Sequence, residues 1–347
     1  MENKMKTLGK IAVPAAGILL LAGIWHFAGT SDEKIIGVIP GYDSPEFERI
    51  QPGLAAEAEK LGYNVIAEIP EEMTVQAQRE AMSKLVKEGA DCILIEAVAE
   101  GGFQDVLDEC SIWGIPVLAY NSRINSQNIY AEVLPYSIES AADAMLSVMA
   151  EDTDASGQFG VLSSTSQDYL REARTREMLT RLEAGMYPAL RFTGSGFVKE
   201  QEALVLEKAD QLEKKYPDLE YLVCYSTVDA QGISDYMEKN NSSWKLICEG
   251  SLDELKSFSP ERTVVLTYDY YRYGRFMAKL AAEAADSDQA PRAGDRFEWE
   301  DDREYIFTKK WGRDSSETSS NAGTPDLCSI TMQEAPDVMR WEDGEWK

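Results

Sequence analysis

Lys34-Ile35-Ile36-Gly37-Val38-Ile39-Pro40-Gly41-Tyr42-Asp43-Ser44-Pro45 is an apolar run followed by a polar loop. Phe47, Ile50, Leu54, Ala58 and Leu61 then recur at steps of three and four, one apolar face at the helical period. Gly62 stops that helix and a short strand begins at Asn64. The cycle repeats: 74–88 reads as a helix, 92–96 as a strand, 102–113 as a helix and 116–120 as a strand. Nearly continuous apolar strands alternating with amphipathic helices predict βαβ units and a parallel sheet covered on both faces. Ligands of such sheets bind beyond the carboxyl ends of the strands. Here those ends are Gly41-Tyr42-Asp43, Glu96-Ala97 and Asn121-Ser122-Arg123.

Four pieces in this order and spacing carry a resemblance: Ile35-Ile36-Gly37-Val38, Ser44-Pro45-Glu46-Phe47, Glu88-Gly89-Ala90-Asp91-Cys92-Ile93-Leu94-Ile95 and Trp113-Gly114-Ile115-Pro116-Val117. The stretch resembles the first lobe of the type I periplasmic solute-binding proteins, the sugar-binding family that includes ribose-binding proteins. The same fold serves as the effector domain of lactose-repressor-type regulators. The likeness runs on to about Ala285. It is clear again at Cys224-Tyr225-Ser226-Thr227-Val228-Asp229-Ala230-Gln231-Gly232, at Glu249-Gly250-Ser251 and from Tyr268-Asp269 to Gly274. It implies an α/β fold of two Rossmann-like lobes with parallel sheets, joined by a hinge that the chain crosses three times. Those crossings are expected near Pro135, near 251–268 and near Asp288. The first lobe would take 32–135 plus 269–288, the second 136–268 plus 289–312. Residues 313–347 form a tail, with a Ser-, Thr-, Asn- and Gly-rich stretch at 314–324 and short strands at 329–332 and 338–346.

The chain has 347 residues, enough for two domains. Against 34 basic residues stand 61 acidic ones, for a net charge of -27. Nucleic-acid binding draws on Lys and Arg neutralising phosphates, so that partner is excluded and a soluble monomer is expected. The single histidine, His26, lies in the N-terminal hydrophobic segment, which removes histidine catalysis and most zinc sites. The five cysteines show no CxxC and no metal spacing. Cys92, Cys224 and Cys248 sit in strand runs, where a thiol behaves as a small buried hydrophobe. No cofactor and no metal is called for.

Lys4, Lys6 and Lys10 precede an almost wholly apolar run at 11–29. A basic start followed by a hydrophobic segment is the pattern of an export signal. The run approaches the ~20 residues that span a bilayer, so an uncleaved membrane anchor is the alternative within 1–31. In either case the body is expected outside the cytoplasm. Repressors of this fold carry a DNA-binding helix-turn-helix where this chain has its hydrophobic helix.

A sugar site needs aromatic faces and planar polar groups in a preformed cleft. The first strand turn offers Tyr42, Asp43, Glu46 and Phe47, and the fourth offers Asn121 and Ser122. The second lobe offers Arg171, Arg174, Phe197, Ser226, Thr227 and Glu249, with Tyr268 at the hinge. The resemblance implies that Phe47 and Phe197 stand where aromatics stack on the sugar. It sets Asn121 in the place of an Asp, and Arg171 or Arg174 in that of a ligand-binding Arg. Ser226, Glu249 and Tyr268 replace an Asn, an Asp and a Gln, which reshapes a ribose-type set. Phe47 also fits the apolar face of its helix as plain core.

The expected function is an extracytoplasmic solute-binding protein. It would capture a small sugar-like ligand between two lobes and deliver it to an ABC transporter permease. A membrane-anchored sensor feeding a kinase or chemoreceptor is the variant reading. An extracellular glycosidase would need two carboxylates ~5–10 Å apart, such as Glu46 with Glu249 or Asp43 with Asp269. Strand-end carboxylates are expected of a binding protein too, so no enzymatic activity is expected.

Overall fold

The computed structural model describes residues 33–152, 157–163, 169–197, 202–251, 259–287, 289–300, 303–309, 328–342 and 345–347. The hydrophobic segment at 11–29, with its signal or anchor, and the polar stretch at 314–324 lie outside the described residues. Among the described residues no helix is long and apolar enough to cross a membrane.

The first half alternates strictly: β1 (Lys34–Ile39), α1 (Pro45–Lys60), β2 (Tyr63–Ala67), α2 (Val75–Lys87), β3 (Cys92–Ile95), α3 (Gln104–Ile112), β4 (Val117–Tyr120) and β5 (Ile129–Leu134). The second half follows with α4 (Ile138–Asp152), β6 (Gln158–Ser163), α5 (Tyr169–Glu183), β7 (Arg191–Phe197), α6 (Glu202–Lys215) and β8 (Leu219–Cys224). Then come α7 (Thr227–Asn240), β9 (Lys245–Glu249), β10 (Thr263–Thr267) and α8 (Tyr270–Ala285). The last strands are β11 (Arg296–Trp299), β12 (Arg303–Ile306), β13 (Thr308–Lys309), β14 (Cys328–Thr331), β15 (Asp337–Glu342) and β16 (Glu345–Trp346).

Local chemistry sets several boundaries. Ser44 caps α1 by accepting from the Phe47 backbone N–H at 3.1 Å, with Pro45 next in line. Ser226 caps α7 in the same way through Asp229 N–H, and Asp269 caps α8 through Arg272 N–H at 2.8 Å. Asn241 ends α7 in the left-handed region at φ 53°, a conformation asparagine tolerates.

Two sheets result, ordered β13-β14-β5-β4-β3-β1-β2 and β16-β15-β10-β9-β8-β6-β7. In each, five strands run parallel in the same 2-1-3-4-5 winding, and β14 adds a sixth parallel strand to the first. Alternate strand residues go to opposite faces. Ile36, Val38, Leu94 and Leu118 pack under α1 and α8, whereas Ile39, Ile93, Ile95 and Val117 pack under α2 and α3. The second sheet is covered likewise by α4 and α5 on one face and α6 and α7 on the other.

The chain passes between sheets at residues 135–137, 268–269 and 332–336. The third lies far beyond Asp288, because the described residues of 289–312, 289–300 and 303–309, pack with the first lobe. Phe297 and Trp299 of the β11–β12 hairpin pack edge-on against Phe276 of α8, at 5.4 and 5.2 Å, inside the first lobe's core. β13 and β14 then extend the first sheet. Within the tail, β14 pairs with β5 in the first sheet and β15 with β10 in the second.

Candidate functional site

Between the two sheets, at the carboxyl ends of their strands, lies a cleft of about 690 Å³. Tyr42, Glu46 and Arg49 line it from the β1–α1 turn and helix start, Glu96 from the end of β3 and Asn121 from the end of β4. Leu170, Arg171 and Arg174 of α5 face it from the second lobe, with Tyr225, Ser226 and Thr227 after β8 and Glu249 at the end of β9. Tyr136, Tyr268 and Tyr270 line it at the first two crossings.

The first wall is organised by Glu46. Its Oε1 accepts from Asn121 Nδ2 at 2.8 Å and from the Tyr268 hydroxyl. Asn121 reaches it because its backbone turns left-handed, φ 45°, straight after the strand, while its N–H still donates to Val133 O at 3.1 Å. Glu96 Oε2 accepts from Gly41 N–H at 3.1 Å, which joins the ends of β1 and β3. Behind it, Gln78 donates to Glu96 O at 2.7 Å and accepts from Val98 N–H at 3.0 Å. That buried amide carries the loop after β3.

The second wall holds a buried ion pair. Arg174 Nη1 donates to Glu249 Oε2, each side chain only 10% exposed. The guanidinium lies over the Tyr136 ring, 5.5 Å from its centroid. The Tyr225 hydroxyl shares a 2.9 Å hydrogen bond with Thr175. Burial raises the pKa of Tyr136, Tyr225 and Tyr268 well above the ordinary phenol value, and neighbouring carboxylates add to it, Glu249 at Tyr136 and Glu46 at Tyr268. All three therefore stay protonated donors across the physiological range.

Of the residues singled out from sequence, Tyr42, Glu46, Asn121, Arg171, Arg174, Ser226, Thr227, Glu249 and Tyr268 share this cleft. Phe47 does not. It is 3% exposed in the first lobe's core, where the apolar face of α1 carries it. Ser122 is also buried; its hydroxyl accepts from Ala97 N–H at 2.8 Å and so ties β4 to the loop after β3. Asp43 is exposed in the β1–α1 turn and lies off the cleft lining. Phe197 ends β7, and its side chain lies outside the described residues. Arg123, another strand-end candidate, is buried against Glu132 at 3.0 Å within the first lobe.

Sequence patterns alone miss several lining residues. Gln231 and Asp235 follow Thr227 at steps of four and so share its face of α7. Arg49 stands one turn beyond Glu46 and lies over the Tyr270 ring at 5.8 Å. Glu96 is legible as a strand end. Tyr136 and Tyr270 have no local signal beyond their nearness to the crossings.

Residues 36–254 match the periplasmic binding protein domain family, and the chain belongs to that family. It is 23% identical over 260 residues to the ABC transporter periplasmic-binding protein YphF of Escherichia coli K12, covering 72% of this chain and 77% of that one. Among solved structures it is similar to an ABC transporter solute-binding protein from Clostridium phytofermentas with bound L-rhamnose. The TM-score there is 0.75 at 17% identity, over 90% of this chain and 97% of the other. It is also similar to LsrB from Clostridium saccharobutylicum in complex with AI-2, with TM-score 0.72 and 15% identity over 88% and 97% of the two chains. At these identities the structural likeness concerns the fold, which is that of the type I periplasmic binding proteins.

Proposed function

We propose that this protein is an extracytoplasmic solute-binding protein that captures a small, polar, sugar-like ligand between its lobes and delivers it to an ABC transporter permease. The observation that carries this reading is the cleft itself. Tyrosine faces, an ordered carboxylate with its amide partner, and arginines converge at the carboxyl ends of two like-wound sheets. Aromatic faces suit the C–H surface of a sugar ring, and fixed planar groups suit several hydroxyls at once. Rings and polar groups come from both lobes, so a ligand that touches both walls favours a closed arrangement.

The carboxylates support binding over glycoside hydrolysis. Glu46 is engaged by Asn121 and Tyr268, Glu249 by Arg174, and Asp269 caps a helix. Asp43 stands outside the cleft lining.

The test is thermal unfolding of the full chain against a panel of sugars, polyols, amino sugars and nucleosides. A compound that binds only the folded form adds about 2.7 kcal/mol at a hundredfold excess over its Kd. A rise of several degrees with one compound class, lost in Asn121→Gly, is expected. A flat panel would remove the sugar-like ligand from the reading and leave the fold untouched.

A further inference from the structure

The crossings between the lobes are tied to one another in two different ways. The third is held to the first by backbone hydrogen bonds, Met332 N–H to Leu134 O at 3.0 Å and Gln333 N–H to Pro135 O at 2.9 Å. The first is joined to the second by side chains. Tyr136 of the first and Tyr268 of the second meet edge to face, their centroids 6.0 Å apart at 77°. Tyr268 is also packed on Tyr273 of α8 at 5.4 Å and 82°. Each tyrosine reaches a different wall of the cleft. The Tyr268 hydroxyl donates to Glu46, and the Tyr136 ring carries Arg174 with its partner Glu249. A continuous series of contacts thus runs from Asn121 in the first lobe to Glu249 in the second, and it passes through the hinge.

We propose that Tyr136 and Tyr268 are positioning residues: a brace between two crossings that couples the Glu46 wall to the Arg174–Glu249 wall, so that each wall's contacts set the angle between the lobes. The physical reason is the difference in the two kinds of tie. Backbone hydrogen bonds have one geometry, whereas an edge-to-face ring contact can slide while the backbone dihedrals at 135–137 and 268–269 change. The Tyr268–Glu46 hydrogen bond fixes where that sliding stops, because it holds a hinge residue to the first strand turn. The part of this inference that concerns ligand rests on the cleft being the binding site; the part that concerns lobe geometry does not.

The test uses the full chain with spin labels at Glu88→Cys in the first lobe and Lys239→Cys in the second, both exposed positions. The native cysteines are all buried and leave labelling selective. Pulsed electron resonance reads the distance distribution between the lobes without ligand. Tyr268→Phe keeps the ring and removes the hydroxyl, and it should broaden or shift that distribution; Tyr136→Leu should do the same. Tyr236→Phe is the control, since that hydroxyl bonds Glu213 within the second lobe at 2.7 Å and should leave the distribution at its parent width. With the ligand found by the stability panel, Tyr268→Phe should also weaken binding roughly tenfold, the cost of one hydrogen bond to a charged group. Parent-like distributions for both Tyr268→Phe and Tyr136→Leu would overturn the brace. A flat ligand panel would count against the proposed function alone, because the distance measurement needs no ligand.

Discussion

At Asn121 two demands meet in one side chain. The backbone needs a residue at ease at φ 45°, and Glu46 needs an amide donor at 2.8 Å. Asn121→Gly should therefore keep the melting temperature close to the parent's while ligand affinity falls. Asn121→Ala should lose both, since the left-handed conformation costs an alanine about 1 kcal/mol. Calorimetry and a binding titration on the two variants separate the roles. Phe47 is the converse case, a strand-end aromatic claimed by the core. Phe47→Ala should cost about 3–5 kcal/mol of stability in denaturant unfolding. Phe47→Leu, which fills most of the space, should bind ligand as the parent does; a large affinity loss there would return Phe47 to the site. At the buried pair, Arg174→Ala should cost about 3 kcal/mol because it strands a carboxylate, and replacing both partners by methionine should recover most of it.

Helices α1 and α8 cross at glycines. A Cβ on Gly53 would lie 1.9 Å from Tyr271 O, and one on Gly274 would lie 2.1 Å from Ile50 O. Backbone stands on the other side in each case, so no rotamer change relieves the overlap. Gly274→Ala should cost about 3 kcal/mol or more, read as a lower melting temperature or loss of soluble protein. The crossing matters to the cleft because Glu46 lies in the first turn of α1 and α8 begins beside Tyr268. The antiparallel strand β15 covers β10 at the edge of the second parallel set. Ending the chain after Met332 removes that cover and exposes a ladder of unpaired backbone groups. In light scattering the truncated protein should aggregate and the full chain should stay monodisperse.

Across the whole molecule, every cysteine is buried. Burial pushes the Cys110 thiol up from 9.0 to about 12 and raises the Cys92 and Cys224 thiols as well. A thiol reagent at pH 8 should find no reactive group in the native protein and five in denaturant. Above pH 9 the unfolded chain releases thiol protons that the folded chain retains, so stability falls as pH rises from about 9 to 12 and is unaffected by these groups below that window. Urea unfolding at pH 8 and pH 10.5 should show the loss.

The sequence by itself determined the repeated βα rhythm, the sheet class and the residues at most strand ends. These follow from apolar periodicity and from Gly, Ser and Asp at the turns, which act over a few residues. That is why Glu46, Asn121, Ser226 and Glu249 stand out as strand-end candidates from local pattern alone. Only the tertiary structure decided which strand-end groups face the cleft, since burial of Phe47 and Ser122 depends on what packs over them. It alone also placed the strands β11 to β15. Phe297, Trp299 and Tyr305 stand among charges in a short hairpin, a pattern too sparse to assign locally, and they are placed by the ring of Phe276 on the preceding helix. The Tyr136–Tyr268 contact joins residues more than a hundred positions apart. No local preference encodes such a contact; it exists because two lobes share one hinge.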